Sequence, residues 1–360
     1  MPLRKNATEM ILFNKNMKLK GRPAILTYIF LLFHGAVLAV TLLIITLPAF
    51  CSCDKDNDSY TEDVRTLWVH NQSINIYGDC LDIFFFNDDK LRLLDSYQRL
   101  QAMPDGGVEA SSRKGDKLFF AITGDCIDPT GIGSYDDLGG LFAELDKELP
   151  ESPVMTAFAK VRAGEEKKSV TLEPLLSEIV ISSICCDFHK KPYSGQRLED
   201  VKIYLTNVRD RCPVTGEQDA GSSFINYGTL SEEDMKRPGL ADLVYSSLEV
   251  PVGENVVHPD IHLYCYPDEA GEEGLGTPFT RLVIEGKLGG ETTYYPITIN
   301  RGTAGDTAGQ GVERNKSYIY DITICRRGVS SPDIPIDVGI LRAGFHVKEW
   351  DAKGERTIGF

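Results

Sequence analysis

Short apolar runs recur along this sequence from residue 67 onward, and they constrain its fold more than any other feature. Apolar residues alternate with polar ones or follow one another without a break, and Gly, Pro, Asn or Asp separates the runs. This pattern predicts many short strands, which is typical of all-β sandwiches. The predicted strands are residues 67–76, 80–86, 117–123, 177–186, 201–208, 261–266, 281–285, 293–300, 318–325 and 345–350.

Helical spacing of apolar residues is limited to two stretches. Leu138, Leu141, Phe142 and Leu145 recur at helical intervals in the clearer stretch, residues 138–149, which Pro150 closes. A weaker pattern covers residues 240–248. The sequence therefore predicts a mainly all-β protein with one or two short helices.

A charged break at residues 163–168 precedes a strand-like run at 169–172 and suggests a domain boundary. We place an N-terminal β-sandwich at residues 67–166 and a C-terminal β-sandwich at 167–360. Each segment is long enough to bury a core of its own.

The first 52 residues have the order of an export signal. Six basic residues precede an apolar run over residues 24–50, so the cations would stay on the cytoplasmic side while the run enters the bilayer. Signal peptidases need small side chains near the cut. Cys53 follows Ser52 and Cys51, whereas Cys51 follows Phe50, so we predict a lipoprotein signal peptide over residues 1–52 and lipidation at Cys53.

The apolar run also permits a different outcome, because it exceeds the roughly 20 residues that span a bilayer and could remain as a permanent anchor. Residues 53–66 are polar and acidic, with no apolar period that would support folding. We expect them to form a flexible tether.

Composition excludes some partners. Residues 1–52 hold six of the 38 basic and one of the 53 acidic residues, so residues 53–360 carry 32 basic and 52 acidic side chains, a formal charge of −20. Nucleic acid and anionic lipid headgroups are therefore not expected partners. The cysteines beyond Cys53 lack the paired spacing of zinc or redox motifs, and we expect most to be buried, with one or two disulfides left open.

Motifs for catalysis, phosphate binding or metal binding do not occur in the sequence. His258 and His262 share a face of a predicted strand, but Pro259 disfavours a helix there and no further ligand follows at the usual spacing. We expect no enzyme activity, no catalytic residue, no cofactor and no metal. The least favoured alternative is a hydrolase that uses scattered acids such as Asp125 and Asp128.

Several phrases resemble the Bacteroides-type fimbrillins, the lipoprotein-derived subunits of type V pili. They include CLDIFFFNDDKLRLLDSY, PLLSEIVISSICCDF, DVKIYLTNV, LYCYP followed by TRLVIEGK, YYPITINR and VERNKSYIYDITICRRGVSSPDIPID. The likeness covers roughly residues 64–350 and is strongest over 314–337. The acidic run behind Cys53 also resembles the surface-export signals of such lipoproteins.

This resemblance implies two transthyretin-like β-sandwiches, a lipid anchor in the outer membrane and other fimbrial subunits as partners. It also implies assembly by donor-strand exchange, in which a segment of one subunit fills an apolar groove that a neighbour's lost first strand leaves open. An alternative function is a cell-surface lipoprotein that binds a glycan or a host protein on the same sandwiches.

Fimbrillins of the shaft lose the first strand by cleavage after a basic residue that precedes the second strand, and this sequence departs from that pattern. After Arg65, the candidate processing site, no Lys or Arg occurs before Lys90, which lies beyond the second predicted strand. We therefore expect a subunit that keeps its first strand, as anchoring subunits do. A shaft or tip role stays open if cleavage occurs at Arg65.

The C-terminal residues are the candidate strand-exchange segment. Trp350 ends one extended stretch, and Ile358 and Phe360 share a face of another. Such a strand could be donated to a neighbour or could complete the C-terminal sandwich.

Overall fold

Strands dominate the described part of the chain. The computed structural model describes residues 63–71, 80–101, 108–124, 128–165, 167–216, 221, 223–274, 276–301, 311–336 and 340–350. About 51% of the structure is strand and 8% is helix, which confirms the predicted all-β class.

The elements follow in chain order. The first eight strands are β1 (Asp63–Asn71), β2 (Cys80–Asn87), β3 (Leu94–Leu100), β4 (Val108–Ser112), β5 (Lys117–Gly124), β6 (Phe142–Glu144), β7 (Met155–Val161) and β8 (Lys167–Pro174). The next six are β9 (Ser177–Cys186), β10 (Leu198–Thr206), β11 (Val208–Arg209), β12 (Arg211–Pro213), β13 (Phe224–Ile225) and β14 (Tyr245–Ser247). The last five are β15 (Ile261–Cys265), β16 (Arg281–Leu288), β17 (Glu291–Thr298), β18 (Lys316–Ile324) and β19 (Leu341–Glu349).

Helical segments in the described ranges are short. The α-helix α1 spans Leu240–Val244, and 3₁₀ turns span Pro129–Gly131, Tyr135–Gly140, Leu145–Lys147 and Asp234–Lys236. Among the described residues, no helix is long and apolar enough to cross a bilayer.

The first eight strands, apart from β6, form one seven-stranded sheet in the order β3-β2-β5-β7-β8-β1-β4. Strand β8 changes neighbours along its length. Its residues 173–174 pair with β7, whereas residues 167–172 run parallel to β1. A strand shared in this way lets one continuous sheet turn a corner and cover both sides of a core.

Strand β2 is buried on both faces of this sheet. Leu81, Ile83 and Phe85 enter one buried cluster, and the alternate residues Phe84 and Phe86 enter another. Because successive side chains point to opposite faces, a strand buried on both faces has no polar alternation. The second cluster lies under the 3₁₀ turns of residues 129–140, which supply Ile132 and Leu138.

Two four-stranded sheets follow, in the orders β15-β9-β18-β19 and β14-β10-β16-β17. Their inward side chains belong to one large cluster, to which β18 contributes Tyr318, Tyr320, Ile322 and Ile324 at every second position. Strand β9 is parallel to β18, and β19 is antiparallel to it.

The predicted helix over residues 138–149 is wrong. Residues 135–140 and 145–147 form 3₁₀ turns, and β6 lies between them and pairs with β12. Two adjacent glycines, Gly139 and Gly140, raise the entropic cost of a helix in its first turn, and pairing of β6 with β12 stabilises the extended form. The weaker prediction, over residues 240–248, is correct only for α1, because β14 takes up its second half.

The predicted division into domains at residues 67–166 and 167–360 stays a prediction. The pairing of β8 places residues 167–174 in the same sheet as β1 and β7.

Candidate strand-exchange site

Strand β1 occupies an internal place in the seven-stranded sheet. It pairs antiparallel with β4 over five residues, from Asp63 opposite Ser112 to Leu67 opposite Val108. It pairs in parallel with β8 over six residues, from Thr66 opposite Lys167 to Asn71 opposite Leu172. The two neighbours therefore hold different but overlapping parts of the strand.

The neighbours of β1 turn apolar side chains into the core. Val108 and Ala110 of β4 are buried, and so are Val170 and Leu172 of β8. All four belong to the cluster that also contains Phe85 and Phe119. Removal of β1 would leave a slot between β4 and β8 with unpaired backbone on both sides and this cluster beneath it. We call this place the β1 slot.

Arg65, the candidate processing site, lies within β1, where its backbone is opposite Ala110. The strand begins at Asp63 rather than at residue 67, so a cut after Arg65 would leave residues 66–71 attached. Lys90 follows the end of β2, and β2 pairs with β3 on one side and β5 on the other. A cut at Lys90 would remove β2 together with β1.

Trp350 is a core residue at the end of β19. Its backbone N–H donates to the Asn315 carbonyl at 3.0 Å, and its ring centroid lies 5.6 Å from that of Tyr264. The side chain is buried in the large cluster of the C-terminal sheets. If Trp350 left this position to join a neighbouring subunit, its packing in the core would therefore be lost.

Strand β19 lies at the edge of its sheet, and its only ladder partner in the described structure is β18. Phe345 and Val347 are 40% and 42% exposed, although Phe345 stacks on the buried Tyr320 ring at 5.5 Å. The edge strand thus presents apolar side chains and an unpaired backbone row. Ile358 and Phe360, like Cys53, lie outside the described residues.

The two histidines singled out in the sequence have hydrogen-bond partners from the protein. Nδ1 of His262 lies 2.7 Å from Glu178, and Nε2 lies 3.2 Å from Asp260. Burial opposes the charged form of His262, but these two carboxylates outweigh it and raise the pKa of the imidazole. Nδ1 of His258 lies 2.9 Å from the Ser182 carbonyl oxygen, so the two rings face different partners.

Of Asp125 and Asp128, the acids named for the hydrolase alternative, only Asp128 lies among the described residues. Asp128 accepts hydrogen bonds from the backbone N–H and hydroxyl of Thr130, which lower the pKa of its carboxyl. This contact caps a 3₁₀ turn. Asp125 lies outside the described residues. Among the described cysteines, Cys80, Cys186, Cys212 and Cys265 are buried, as expected for most of them.

Sequence analysis missed β4, one wall of the β1 slot. The strand has five residues, VEASS, and only two of them are apolar. Its burial nevertheless alternates strictly, with Val108, Ala110 and Ser112 buried and the residues between them exposed. Alternation of small and apolar side chains was the signal that could have identified it.

Comparison with solved structures connects this architecture to known proteins. A fimbrilin (FimA) from Porphyromonas gingivalis W83 is similar at a TM-score of 0.56 and 12% identity, over 80% of this chain and 97% of that chain. Two candidate cell adhesion proteins from Parabacteroides distasonis are similar at TM-scores of 0.57 and 0.55, with 13% and 14% identity. The matches cover 80% and 81% of this chain, and 100% and 97% of those chains.

This chain has the Bacteroides-type fimbrillin fold. The resemblance inferred from short phrases is therefore confirmed at the level of the fold. No protein-family model matches the sequence, and no curated protein matches it either. The fimbrillin fold is thus preserved here at identities of 12–14%.

Proposed function

We propose that this chain is a lipid-anchored fimbrial subunit of the outer cell surface, which joins other subunits by β-strand complementation and retains its own first strand. The internal position of β1 carries the proposal. A strand held between two neighbours over a buried cluster is the structural element whose loss or exchange leaves a defined groove.

Retention of β1 is supported by the positions of the basic residues. Arg65 lies inside β1, and the next basic residue, Lys90, follows β2. No cleavage after Lys or Arg can therefore remove β1 and leave β2 in place. A subunit whose slot stays filled by its own strand cannot accept a strand there, so it takes part as a donor.

The C-terminal segment is the proposed donor. Trp350 is fixed in the core and would hold the start of this segment, while residues 355–360 begin six positions beyond the end of β19. Ile358 and Phe360 alternate with Thr357 and Gly359 in the sequence, so in an extended strand they would present one apolar face to a groove. Main-chain hydrogen bonds would supply binding, and these alternate side chains would set the register.

Anchoring is proposed to occur through Cys53. An acylated cysteine followed by the acidic residues 54–58 would hold the folded strands at the membrane surface on a tether. A subunit attached in this way and unable to accept a strand would lie at the base of a fimbria, which is the anchoring role.

Strand donation can be tested by incorporation of variants into fibres in the native host. Ile358→Asp should abolish incorporation, because it places a charge on the apolar face of the donor segment. The matched variant Thr357→Asp, on the opposite face, should be incorporated normally. Equal incorporation of both variants would rule out donation by this segment.

Lipidation can be tested independently by metabolic labelling with a fatty acid and membrane fractionation. Cys53→Ser should lose the label and the membrane association, whereas Cys51→Ser should keep both. If the label depended on Cys51 instead, the signal peptide would end before Cys51. If the unsubstituted protein took up no label, the lipid anchor would be refuted.

A further inference from the structure

A cavity of about 210 Å³ lies outside the β1 slot, over the junction of β7 and β8. At this junction Thr156 of β7 is opposite Glu173 of β8, after which the two strands take different neighbours. Tyr135, from the 3₁₀ turn before β6, and Arg314, from the segment before β18, also line the cavity. The cavity is therefore a concave pocket on the outer surface of the sheet.

One wall of this pocket is aromatic. The Phe158 ring is 49% exposed, and its centroid lies 5.6 Å from that of Tyr135. Tyr135 in turn packs edge-on against the buried Phe86 at 5.6 Å, and the Arg92 guanidinium lies 5.3 Å from its ring centroid. These contacts fix Tyr135, so Phe158 stands against a rigid neighbour and keeps one face open.

Part of the lining is polar and includes Arg314, from the segment before β18. Arg314 donates from Nη2 to the Thr156 hydroxyl at 3.1 Å and to the Glu173 carbonyl at 2.6 Å, and from Nε to the Pro174 carbonyl at 3.3 Å. The guanidinium is thus engaged by protein acceptors. The side chains of Thr171 and Glu173 remain exposed at the rim.

A further polar atom in this pocket has no partner in the described structure. The Thr215 hydroxyl oxygen is buried and makes no hydrogen bond with any described residue. Because this oxygen has almost no solvent-accessible surface, it is not offered to a ligand, and the exposed polar groups of the pocket are the side chains of Thr171 and Glu173.

We propose that this pocket binds a single neutral pyranose ring. An open aromatic face suits the C–H surface of a sugar, and hydroxyls with a carboxylate at the rim match its hydroxyl groups. The volume is below the roughly 300–1,000 Å³ of pockets for drug-sized ligands, so the site accommodates one ring. The ligand is neutral because Arg314 is already engaged and Glu173 would repel an anion.

Saturation-transfer NMR on the protein of residues 53–360 tests this proposal. The probes are methyl β-D-glucopyranoside, methyl β-D-galactopyranoside, methyl α-D-mannopyranoside and N-acetyl-D-glucosamine, each titrated to about 50 mM, with cyclohexanol as an apolar ring of similar size. At least one sugar should bind, and cyclohexanol should not. Binding of none of the four sugars, or equal binding of cyclohexanol, would overturn the proposal.

Variants locate the site. Phe158→Ala should weaken sugar binding at least tenfold, and Thr171→Val, which removes one hydroxyl, should weaken it about fivefold. Both positions are exposed, so each variant should fold, which circular dichroism would verify. Phe345→Ala on β19 is the control with a similarly exposed ring and should leave binding unchanged. Sugar binding that persists in Phe158→Ala would place it elsewhere and contradict the proposal, whatever the outcome of the strand-exchange tests.

Discussion

The first and last described strands, β1 and β19, each contain nine residues but hold opposite positions in their sheets. Strand β1 lies between β4 and β8, whereas β19 borders its sheet and pairs only with β18 among the described strands. Alternate residues of the strands beside β1 are buried, whereas most of β19 is exposed. A strand near a chain end that lies between two neighbours closes a core. A strand near a chain end that lies at a sheet edge can change partners at a lower cost in free energy.

This difference matters because unpaired backbone is costly where water is excluded and cheap where water is present. Loss of β1 would uncover two strand edges and the apolar side chains between them. Among the described strands only β18 pairs with β19, and most side chains of β19 are exposed. The filled β1 slot therefore lies in the seven-stranded sheet, and the exposed edge strand β19 lies in a C-terminal sheet.

The largest expected effect follows from removal of β1. Protein without residues 1–62 should fold and unfold cooperatively, because it keeps the strand. Protein without residues 1–71 should aggregate or lose cooperative unfolding, since Val108, Ala110, Val170 and Leu172 would face solvent. Thermal unfolding and size-exclusion chromatography measure both.

A synthetic peptide of residues 63–71 should restore cooperative unfolding to the shorter protein, and a scrambled peptide should not. If the two truncated proteins melted at the same temperature, β1 would contribute nothing to the core, and the β1 slot would not exist.

Single substitutions give the next largest contrast. Leu172→Ala, beside β1, should lower the free energy of unfolding by about 2–5 kcal/mol, because it leaves a cavity in a fully buried cluster. Val347→Ala on β19 should cost less than about 1 kcal/mol, because that side chain is 42% exposed and loses less burial. Urea denaturation compares the two, and similar losses would remove the distinction between closed site and open edge.

A pH-dependent effect is expected where the segment after β6 meets the C-terminal sheets. Glu148 accepts hydrogen bonds from the Val154 N–H and the Tyr266 hydroxyl, at 3.0 and 2.9 Å. Burial outweighs these bonds and raises the pKa of Glu148 from 4.5 to about 7. The folded state therefore favours the protonated acid. The stability that this group contributes to the fold is fully present below pH 4.5 and is lost as the pH rises through about 7.

Glu148→Gln should remove this dependence and raise the melting temperature more at pH 8 than at pH 5. Glu144→Gln, at the exposed last residue of β6, is the control and should change neither value. An equal effect of Glu148→Gln at both pH values would show that the carboxyl does not titrate in this range.

The smallest effect concerns the ion pair at the end of β19, in which Lys316 lies 3.9 Å from the largely exposed Glu349. Glu349→Gln should change the free energy of unfolding by less than about 1 kcal/mol, because solvent screens the pair. Denaturation in low and high salt measures this. A larger loss would indicate that β19 is held more firmly than its edge position implies.

Local sequence pattern predicted the buried strands well. The predicted range of residues 177–186 coincides with β9, and the range 80–86 lies within β2, since both strands are rich in apolar residues. Strands β4 and β7 were missed because their alternation includes small or polar residues. The leucine spacing of residues 138–149 favoured a helix, but pairing between β6 and β12, distant in sequence, determined the structure.

For the candidate site, sequence analysis supplied the spacing of basic residues and missed the geometry. The interval from Arg65 to Lys90 is visible in the sequence and bears directly on processing. The β1 slot depends on the pairing of β1 with β8, about one hundred residues later, which no local pattern encodes. Burial of Trp350 likewise depends on Tyr264 and Asn315, far along the chain.

Intact-mass analysis of the protein extracted from the cell surface tests whether a lipid-anchored subunit keeps β1. We expect a chain that begins at Cys53, carries fatty acyl groups there and includes all of residues 63–71. A surface form that begins at Thr66 or beyond Lys90, without acyl groups, would contradict it.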